Sequence, residues 1–393
     1  MKKKLALGMI SIMLTGLLSG CGGGGAAKTS GETNADTIKV GGNFEQSGGN
    51  ATLGSSAVNG AQLAFDKFNA NGGLNGRKIE FIPMDNKSDA TESTNIATNL
   101  ISEKGVVAIL GSSTSGNTLA ALKVAEDARI PLIAPSATNP DVTVNPNTGK
   151  TNPYAYRACF IDPFQGTVMA NFALQELKAK TAAIYVDSSA PYSMGLAKFF
   201  KESFEKAGGK IIAQEGYIAK EQDFRAILTR IRSAKPDVIY IPGYYQEVGL
   251  IAKQARELGM NQPLLGGDGW DSNELVKIGG VAALNNTFFS NHYSSGQPDK
   301  IVQDFVTEYK AKFGNAPDSF GVLGYDAALM YIEAIKKAGT DDPEQVKAAL
   351  DSLKDVQLVS GLVSLDAQHN PVKGAAILEM KDGKQVYKGY IQP

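Results

Sequence analysis

Short apolar runs alternate with longer amphipathic stretches from Thr37 onward, and this alternation limits the fold more than any other feature. The runs at 38–40, 79–84 and 106–110 are each followed by a stretch with helical spacing. In the first such stretch, the residues that share one helix face are Val58, Ala61, Phe65 and Phe68. Because short buried strands that alternate with helices form parallel sheets, we expect a parallel sheet with helices on both faces.

A second series of the same kind begins after Phe160. The pattern predicts, in chain order, helix 163–178, strand 182–186, helix 193–207, strand 210–216, helix 223–234, strand 237–242, helix 246–258 and strand 264–266. Two further helices are expected over 298–313 and 319–338, and the sequence Lys-Asp-Gly-Lys at 381–384 is typical of a hairpin turn. Two consecutive α/β units are therefore predicted.

Charge and composition exclude several classes of protein. Lys plus Arg (39) nearly balances Asp plus Glu (40), so we do not expect a protein that binds nucleic acid through its phosphates. Two cysteines and two histidines are too few for a structural zinc site or a disulfide framework. Neither histidine, His292 or His369, lies beside a nucleophile motif. We therefore expect no cofactor, no metal site and no enzymatic activity.

The first 36 residues indicate export across a membrane. Three lysines at 2–4 precede an apolar stretch at 5–18, and the sequence Leu-Ser-Gly-Cys at 18–21 is typical of a lipoprotein signal. We expect residues 1–20 to be a removable signal peptide, Cys21 to carry the lipid, and residues 21–36 to form a flexible Gly-rich tether. No other run reaches the ~18 apolar residues that a membrane-spanning helix needs. The protein is thus expected outside the cell membrane and anchored to it.

Candidate binding residues lie in the loops that follow the predicted strands, because open parallel sheets bind ligands at the carboxyl ends of their strands. Two such loops, 111–118 and 134–140, are rich in small hydroxyl residues. Beside a helix N-terminus these residues could bind a carboxylate, although helix capping alone also explains them. A nucleotide site is not expected, since the segments 144–151 and 267–272 lack glycines that the phosphate-binding motifs require.

In the second unit, three strand-exit loops combine aromatic and polar residues: 187–192, 243–245 and 266–270. Asp268 stands between two glycines and is suited to bind a ligand ammonium group, while aromatic faces suit an apolar or cationic ligand body. Ordinary turn chemistry for Asp268 and simple packing for Trp270 are the alternatives.

Taken in order, several short motifs resemble one known family. They are Asn-Gly-Ala at 59–61, Asn69, Asp85, Thr-Ser-Gly at 114–116, Pro-Ser-Ala-Thr-Asn-Pro at 135–140, Asp-Phe at 223–224, Gly-Tyr at 243–244 and Gly-Asp-Gly-Trp at 267–270. From about Ile38 to the C-terminus, the chain is similar to the substrate-binding lipoproteins of ABC importers with the type I periplasmic-binding fold, in the branched-chain amino-acid group.

The resemblance implies a set of ligand-binding residues. The ligand carboxylate would be held by Ser115 and by the loop residues Ser136, Ala137 and Thr138, and the ammonium by Asp268. The remaining implied residues are the closing tyrosines Tyr192 and Tyr244, and the pocket residues Leu53, Phe320 and Trp270. Leu53 stands where the family often has an aromatic residue, and Asp268 is shorter than the Glu of some members, so transfer of the ligand side-chain specificity is left open.

The resemblance also implies two doubly wound, Rossmann-like lobes joined by a hinge of three crossings. The expected lobes are 37–157 plus 292–366 and 158–291 plus 367–393, with crossings near 157–162, 290–293 and 363–368. The implied function is capture of an amino acid, branched-chain or other aliphatic, by lobe closure and delivery to the permease and ATPase of an ABC importer.

Two alternative functions remain open at this point. One is a ligand-sensing input protein for a chemoreceptor or a kinase. The other is a receptor for a related amide or urea-type solute. In each case we expect a monomer without nucleic-acid partners, anchored to the membrane through Cys21.

Overall fold

The first parallel sheet is built from the N-terminal part of residues 37–392, the part of the chain that the computed structural model describes. Its strands are β1 (Ile38–Phe44), β2 (Ile79–Asp85), β3 (Ala108–Gly111), β4 (Leu132–Ala134) and β5 (Ala155–Arg157). They lie in the order β2-β1-β3-β4-β5, and every pair is parallel. The chain therefore reverses its direction of winding between β1 and β3, which creates a crevice at their carboxyl ends.

A second sheet repeats this topology. Its parallel strands are β6 (Thr181–Asp187), β7 (Lys210–Tyr217), β8 (Val238–Tyr240), β9 (Leu264–Gly266) and β10 (Thr287–Asn291). Two later strands, β13 (Ala375–Lys381) and β14 (Lys384–Ile391), extend the same sheet. The strands β11 (Val356–Leu358) and β12 (Gly361–Val363) form a separate hairpin. The order is β14-β13-β10-β9-β8-β6-β7, with β13 antiparallel to both of its neighbours. The parallel part reverses its winding between β6 and β8.

The α-helices of residues 37–392 cover these sheets. In chain order they are α1 (Ala51–Ala70), α2 (Ala90–Asn99), α3 (Ser115–Asp127), α4 (Asp162–Gln175), α5 (Pro191–Lys206), α6 (Arg225–Ala234), α7 (Tyr245–Glu257), α8 (Asn273–Gly279), α9 (Val281–Leu284), α10 (Lys300–Phe313), α11 (Ser319–Ala338) and α12 (Pro343–Asp351). Within residues 37–392, none of them combines the length and the apolar character that a bilayer span requires. The predicted signal peptide, tether and lipidation site at Cys21 lie outside the described residues.

The predicted α/β fold class is confirmed, and so are most element positions. Helix α11 covers 319–338 as the pattern predicts. The hairpin of β13 and β14 turns at Asp382 and Gly383, whose φ angles are 50° and 75°. The apolar spacing predicts helices over 56–69 and 118–128, whereas α1 begins at Ala51 and α3 at Ser115, because their first turns consist mostly of small and polar residues. The spacing gave no signal for β5, β10 or α12, which are short.

The chain passes between the two sheets after β5, after β10 and again between β12 and β13. The predicted crossings near 157–162 and 290–293 fall at the first two of these passages. The third passage occupies residues 364–374 and leads into β13 of the second sheet. The exact lobe boundaries stay a prediction.

Glycines allow α1 and α11 to pack very closely, and this packing positions Leu53 and Phe320 at the N-terminal ends of the two helices. A Cβ atom on Gly60 would lie 1.9 Å from the Gly321 carbonyl oxygen. A Cβ atom on Gly324 would lie 2.1 Å from the Ala57 carbonyl oxygen. The helix backbones are thus in direct contact, and neither position has room for a side chain.

We expect Gly60→Ala to lower the free energy of unfolding by at least ~1–3 kcal/mol, because the added methyl group must push α11 away from α1. Urea denaturation of the wild type and of Gly60→Ala measures the loss in the free energy of unfolding. Gly389→Ala in β14 is the matched control, since its Cβ would meet nothing within 4 Å. Equal stability of the two variants would contradict the close contact.

Candidate functional site

The loops at the two reversal points face one another. Those after β1, β3 and β4 come from the first sheet, and those after β6, β8 and β9 come from the second. Hydrogen bonds join the two sides: the hydroxyl groups of Thr52 and Ser272 are 2.9 Å apart, and Asn139 Nδ2 donates to the Pro191 carbonyl at 2.9 Å. The loops of the two sheets are therefore in contact, and Ser115, Thr138 and Asp268 between them are buried.

The loop 111–118 binds an anion, but that anion is the buried side chain of Glu45 at the end of β1. Its carboxylate accepts the backbone N–H groups of Ser113 at 3.0 Å and Thr114 at 3.1 Å. It also accepts the Thr114 hydroxyl at 2.7 Å and Asn117 Nδ2 at 2.9 Å. Three of these donors reach Oε1 and one reaches Oε2, so Glu45 has as many donors as a carboxylate has lone-pair directions. The N–H groups of Ser113 and Thr114 are thus not available to a ligand carboxylate.

Several hydroxyl groups beside Glu45 keep their hydrogen-bonding capacity. Ser115 Oγ accepts from the Asn139 backbone N–H at 3.2 Å, which leaves its own hydrogen free to be donated. Ser113 Oγ and Thr138 Oγ1 are buried and have no well-aligned partner among the described residues, although the Thr138 hydroxyl also acts on the Asp162 carboxyl group. Ser136 Oγ, in contrast, donates to the Ser113 carbonyl at 2.8 Å. Ser115, Thr138 and Ser113 are therefore the hydroxyl donors that a ligand carboxylate can use.

Arg157 at the end of β5 fixes the second hydroxyl-rich loop. Its buried guanidinium donates to the Ala137 carbonyl at 2.6 Å, the Asn139 carbonyl at 3.0 Å and the Thr143 hydroxyl at 2.9 Å. Because these acceptors lie on both sides of Thr138, the position of the loop depends on Arg157. The sequence pattern gave no sign of this role.

Asp268 lies on the opposite side of the site and is 2% exposed. Its Oδ1 atom accepts Gln165 Nε2 and the Tyr192 hydroxyl, each at 2.8 Å. Its Oδ2 atom lies 3.1 Å from His292 Nε2. Burial lowers the pKa of His292, against the opposing effect of Asp268, so the imidazole is neutral at neutral pH. Asp268 thus has three hydrogen-bond partners, no cationic partner among them, and one lone-pair direction left.

Neighbouring side chains leave no room for a Cβ atom at the glycines around Asp268. A Cβ atom on Gly266 would lie 2.1 Å from the Trp270 ring, and one on Gly267 would lie 2.8 Å from the Tyr192 hydroxyl oxygen. Trp270 itself is fully buried, and its Nε1 donates to the Ile241 carbonyl at 3.1 Å. The Gly-Gly-Asp-Gly-Trp segment therefore packs the tryptophan beneath the acidic residue.

Apolar and aromatic side chains form the rest of the site. Tyr192 and Tyr244 stack with their ring centroids 5.0 Å apart. Leu53 and Phe320 are buried in one apolar cluster with Trp270, and Tyr244 packs against it. Burial, followed by the charge of Asp268, raises the pKa of Tyr192 well above 10, so its hydroxyl stays a proton donor.

Asp162, the first residue of α4, is a second buried carboxylate near Asp268. Neither of its oxygens has a well-aligned hydrogen-bond partner among the described residues, but the Thr138 hydroxyl acts on it as a donor. Burial raises the pKa of Asp162 to about 8. The Thr138 hydroxyl and the positive charge of Arg157 lower this pKa, whereas the negative charge of Asp268 raises it further. A Cβ atom on Gly195 of α5 would lie 2.3 Å from Asp162 Oδ2, so this carboxyl is tightly enclosed.

The residues predicted from sequence thus occupy the two faces of this closed region, while Glu45, Arg157, Gln165 and His292 were not predicted. A family model described as periplasmic binding protein matches residues 37–385. The chain belongs to the periplasmic binding protein family. Its structural neighbours are type I members of that family, with the fold that the sequence predicts.

This periplasmic binding protein has relatives of nearly the same length. The Leu/Ile/Val-binding protein homolog 1 of Brucella abortus (strain 2308) is 31% identical over 358 residues, which are 90% of this chain and 93% of that protein. A solved structure of the branched-chain amino acid transporter substrate-binding protein LivJ from Streptococcus pneumoniae, in complex with isoleucine, is 37% identical with a TM-score of 0.85, and covers 91% of this chain and 100% of that chain. A solute-binding protein from R. palustris, in complex with benzoate, is 26% identical with a TM-score of 0.82. The match covers 91% of this chain and 97% of that chain.

In this periplasmic binding protein, Glu45→Ala is expected to lower the free energy of unfolding by about 3 kcal/mol or more. The change leaves buried N–H and O–H groups without an acceptor, and each such group costs ~1–3 kcal/mol. Urea denaturation without ligand measures the loss, with the exposed Glu202→Ala of α5 as control. A loss no larger than that of the control would mean that Glu45 does not hold the loop.

The raised pKa of Asp162 makes the stability of the ligand-free protein depend on pH. Between its ordinary value of 3.8 and about 8, the folded state keeps a proton that the unfolded state releases, so stability falls as the pH rises. Asp162→Asn should match the wild type near pH 4 and exceed its free energy of unfolding near pH 8 by a few kcal/mol. Urea midpoints across this range test the prediction, with the exposed Asp127→Asn as control. A parallel pH profile for Asp162→Asn and the wild type would overturn it.

Proposed function

We propose that this periplasmic binding protein captures an amino acid, branched-chain or other aliphatic, and delivers it to the permease of an ABC importer. The observation that carries the proposal is the buried Asp268 carboxylate, which has an unused lone-pair direction and no cationic partner. Hydroxyl donors lie on the other side of the same closed region. The names of the Leu/Ile/Val-binding homologue and of the isoleucine complex support the same ligand class.

In the proposed complex, the two charged ends of one zwitterion bind to different faces of the site. The ligand ammonium donates to Asp268, and the ligand carboxylate accepts from Ser115 and Thr138 and binds the backbone at Ser136 and Ala137. Charge-assisted hydrogen bonds contribute ~1.5–3 kcal/mol each, whereas a buried charge without a partner costs several kcal/mol. A solute that lacks either charged end therefore binds poorly.

The ligand side chain lies against apolar surface in this proposal. Leu53 and Phe320 form one side of the pocket, and Tyr244 closes it above the Trp270 cluster. These residues favour aliphatic side chains, because an apolar ligand group buries its surface against them.

Lobe closure follows from the position of the binding groups. Ser115, Ser136 and Thr138 belong to the proposed lobe 37–157 plus 292–366, and Asp268, Tyr192 and Tyr244 to the lobe 158–291 plus 367–393. A ligand favours closure only by contacts that it makes in the closed state. A zwitterion held by both lobes supplies such contacts, together with the hydrogen bond between Thr52 and Ser272.

The family places the protein outside the cytoplasm. We further propose that a lipid on Cys21 anchors it there as a monomer, on the strength of the sequence at 18–21, which lies outside the described residues. The closed protein would then diffuse along the membrane surface to the permease and its ATPase.

An aromatic acid is the second candidate ligand, because a relative has been solved with benzoate. Benzoate has no amino group, so it would leave Asp268 as a buried charge without a cationic partner. A thermal-shift screen with the twenty amino acids, benzoate and urea tests both candidates. Aliphatic amino acids should raise the melting temperature most. A shift by benzoate alone, or by none of these solutes, would refute the proposal.

Asp268→Asn should weaken leucine or isoleucine binding about a hundredfold, because breaking a buried ion pair costs ~3 kcal/mol or more. Isothermal titration calorimetry measures the change. The exposed Asp304→Asn of α10 is the control and should bind like the wild type.

Isocaproate, which is leucine without its amino group, separates the role of Asp268 from general damage to the site. It should bind weakly to the wild type and no more weakly to Asp268→Asn. An equal loss of affinity for leucine and isocaproate would show that Asp268 does not bind the amino group.

A further inference from the structure

His292 follows β10 in the second passage between the two sheets, and it contacts the acidic residue of the site directly. Its Nε2 atom is 3.1 Å from Asp268 Oδ2, and the residue is 1% exposed. One face of the imidazole stacks on Phe160 of the first passage, with ring centroids 3.7 Å apart. A fully buried ring held in this way has one fixed orientation toward Asp268.

The proton arrangement of this imidazole follows from its partners. A carboxylate oxygen only accepts hydrogen bonds, so Nε2 carries the hydrogen that is donated to Asp268. Nδ1 is then the unprotonated nitrogen, and it has no hydrogen-bond partner among the described residues. A second proton on His292 would sit on Nδ1 without an acceptor, while the positive charge would lie beside Asp268.

Charged groups from several elements act on His292. Asp268 and Asp271, which follow β9, favour the imidazolium form. Lys373, buried in the third passage, disfavours it, and burial disfavours it most. Phe160 offers only its ring face. The imidazole is therefore neutral near neutral pH and gains a proton only in acid.

We propose that His292 is a positioning residue that orients Asp268 toward the ligand amino group and makes ligand binding weaken in acid. This inference rests on the proposed function, because it takes the ligand to be an amino acid whose ammonium binds Asp268. In its neutral form, His292 holds Oδ2 and adds no charge. In its protonated form, His292 is a cation beside Asp268 and opposes binding of the ligand ammonium to the same carboxylate.

The sign of the pH effect follows from linkage. An ammonium at Asp268 opposes the imidazolium, so ligand binding lowers the pKa of His292 further and releases its proton. Affinity therefore falls with decreasing pH once His292 begins to titrate in the free protein. One released proton weakens binding by at most about tenfold for each pH unit.

Calorimetric titrations with leucine between about pH 7.5 and 4.5 test the proposal on the full-length protein and two histidine variants. His292→Gln keeps an amide that can donate to Asp268 but cannot titrate in this range. His369→Gln is the matched control, because that second buried histidine bonds to the Ala155 carbonyl, stacks on Tyr156 and has Asp351 rather than Asp268 as its acidic neighbour. Thermal unfolding at pH 7.5 verifies that each variant folds.

We expect the wild type and His369→Gln to lose affinity in acid with the same slope. His292→Gln should bind leucine within about threefold of the wild type at pH 7.5 and show a flatter profile in acid. Histidine NMR of the same samples should show that leucine lowers the pKa of His292 and not that of His369.

Parallel profiles for the wild type and His292→Gln, or an unshifted His292 pKa on binding, would overturn the role of His292 while leaving amino-acid capture intact. A uniform affinity loss at every pH would indicate a merely structural role and equally refute the proposal. Absence of leucine binding to the wild type at pH 7.5 would instead refute the proposed function.

Discussion

The site between the two sheets depends on how the facing loops bury two carboxylate side chains. Glu45 and Asp268 are both removed from water, and neither has a cation in hydrogen-bond contact. Glu45 accepts four neutral donors, three on Oε1 and one on Oε2. Asp268 accepts three, two on Oδ1 and one on Oδ2, and in the proposed complex the ligand ammonium is the fourth donor and the only cation.

The repeated topology explains why these groups meet. Each sheet has the same strand order over its parallel part, and each reverses its winding at a point where loops and helix N-termini converge. When the two reversal points face one another, hydroxyl donors from one sheet oppose an acidic residue from the other. The close packing of α1 on α11 adds Leu53 and Phe320 between them.

Local sequence patterns predicted the fold and the site to different extents. Apolar spacing located α11 and the strand exits, and the Asp-Gly pair located the final hairpin, because these features depend on neighbouring residues. The positions of Glu45, Arg157, Gln165 and His292 were not predictable in this way. Glu45 bonds to residues 68–72 positions away, and Gln165 lies 103 positions before Asp268. Only tertiary packing brings such groups together, and they leave no periodic signal.

The most direct test of the account is a crystal structure of the protein with leucine bound. We expect the leucine ammonium within hydrogen-bond distance of Asp268, and its carboxylate within hydrogen-bond distance of the Ser115 and Thr138 hydroxyl groups. A leucine molecule bound outside the closed region, or one whose amino group contacts Glu45 rather than Asp268, would contradict the account.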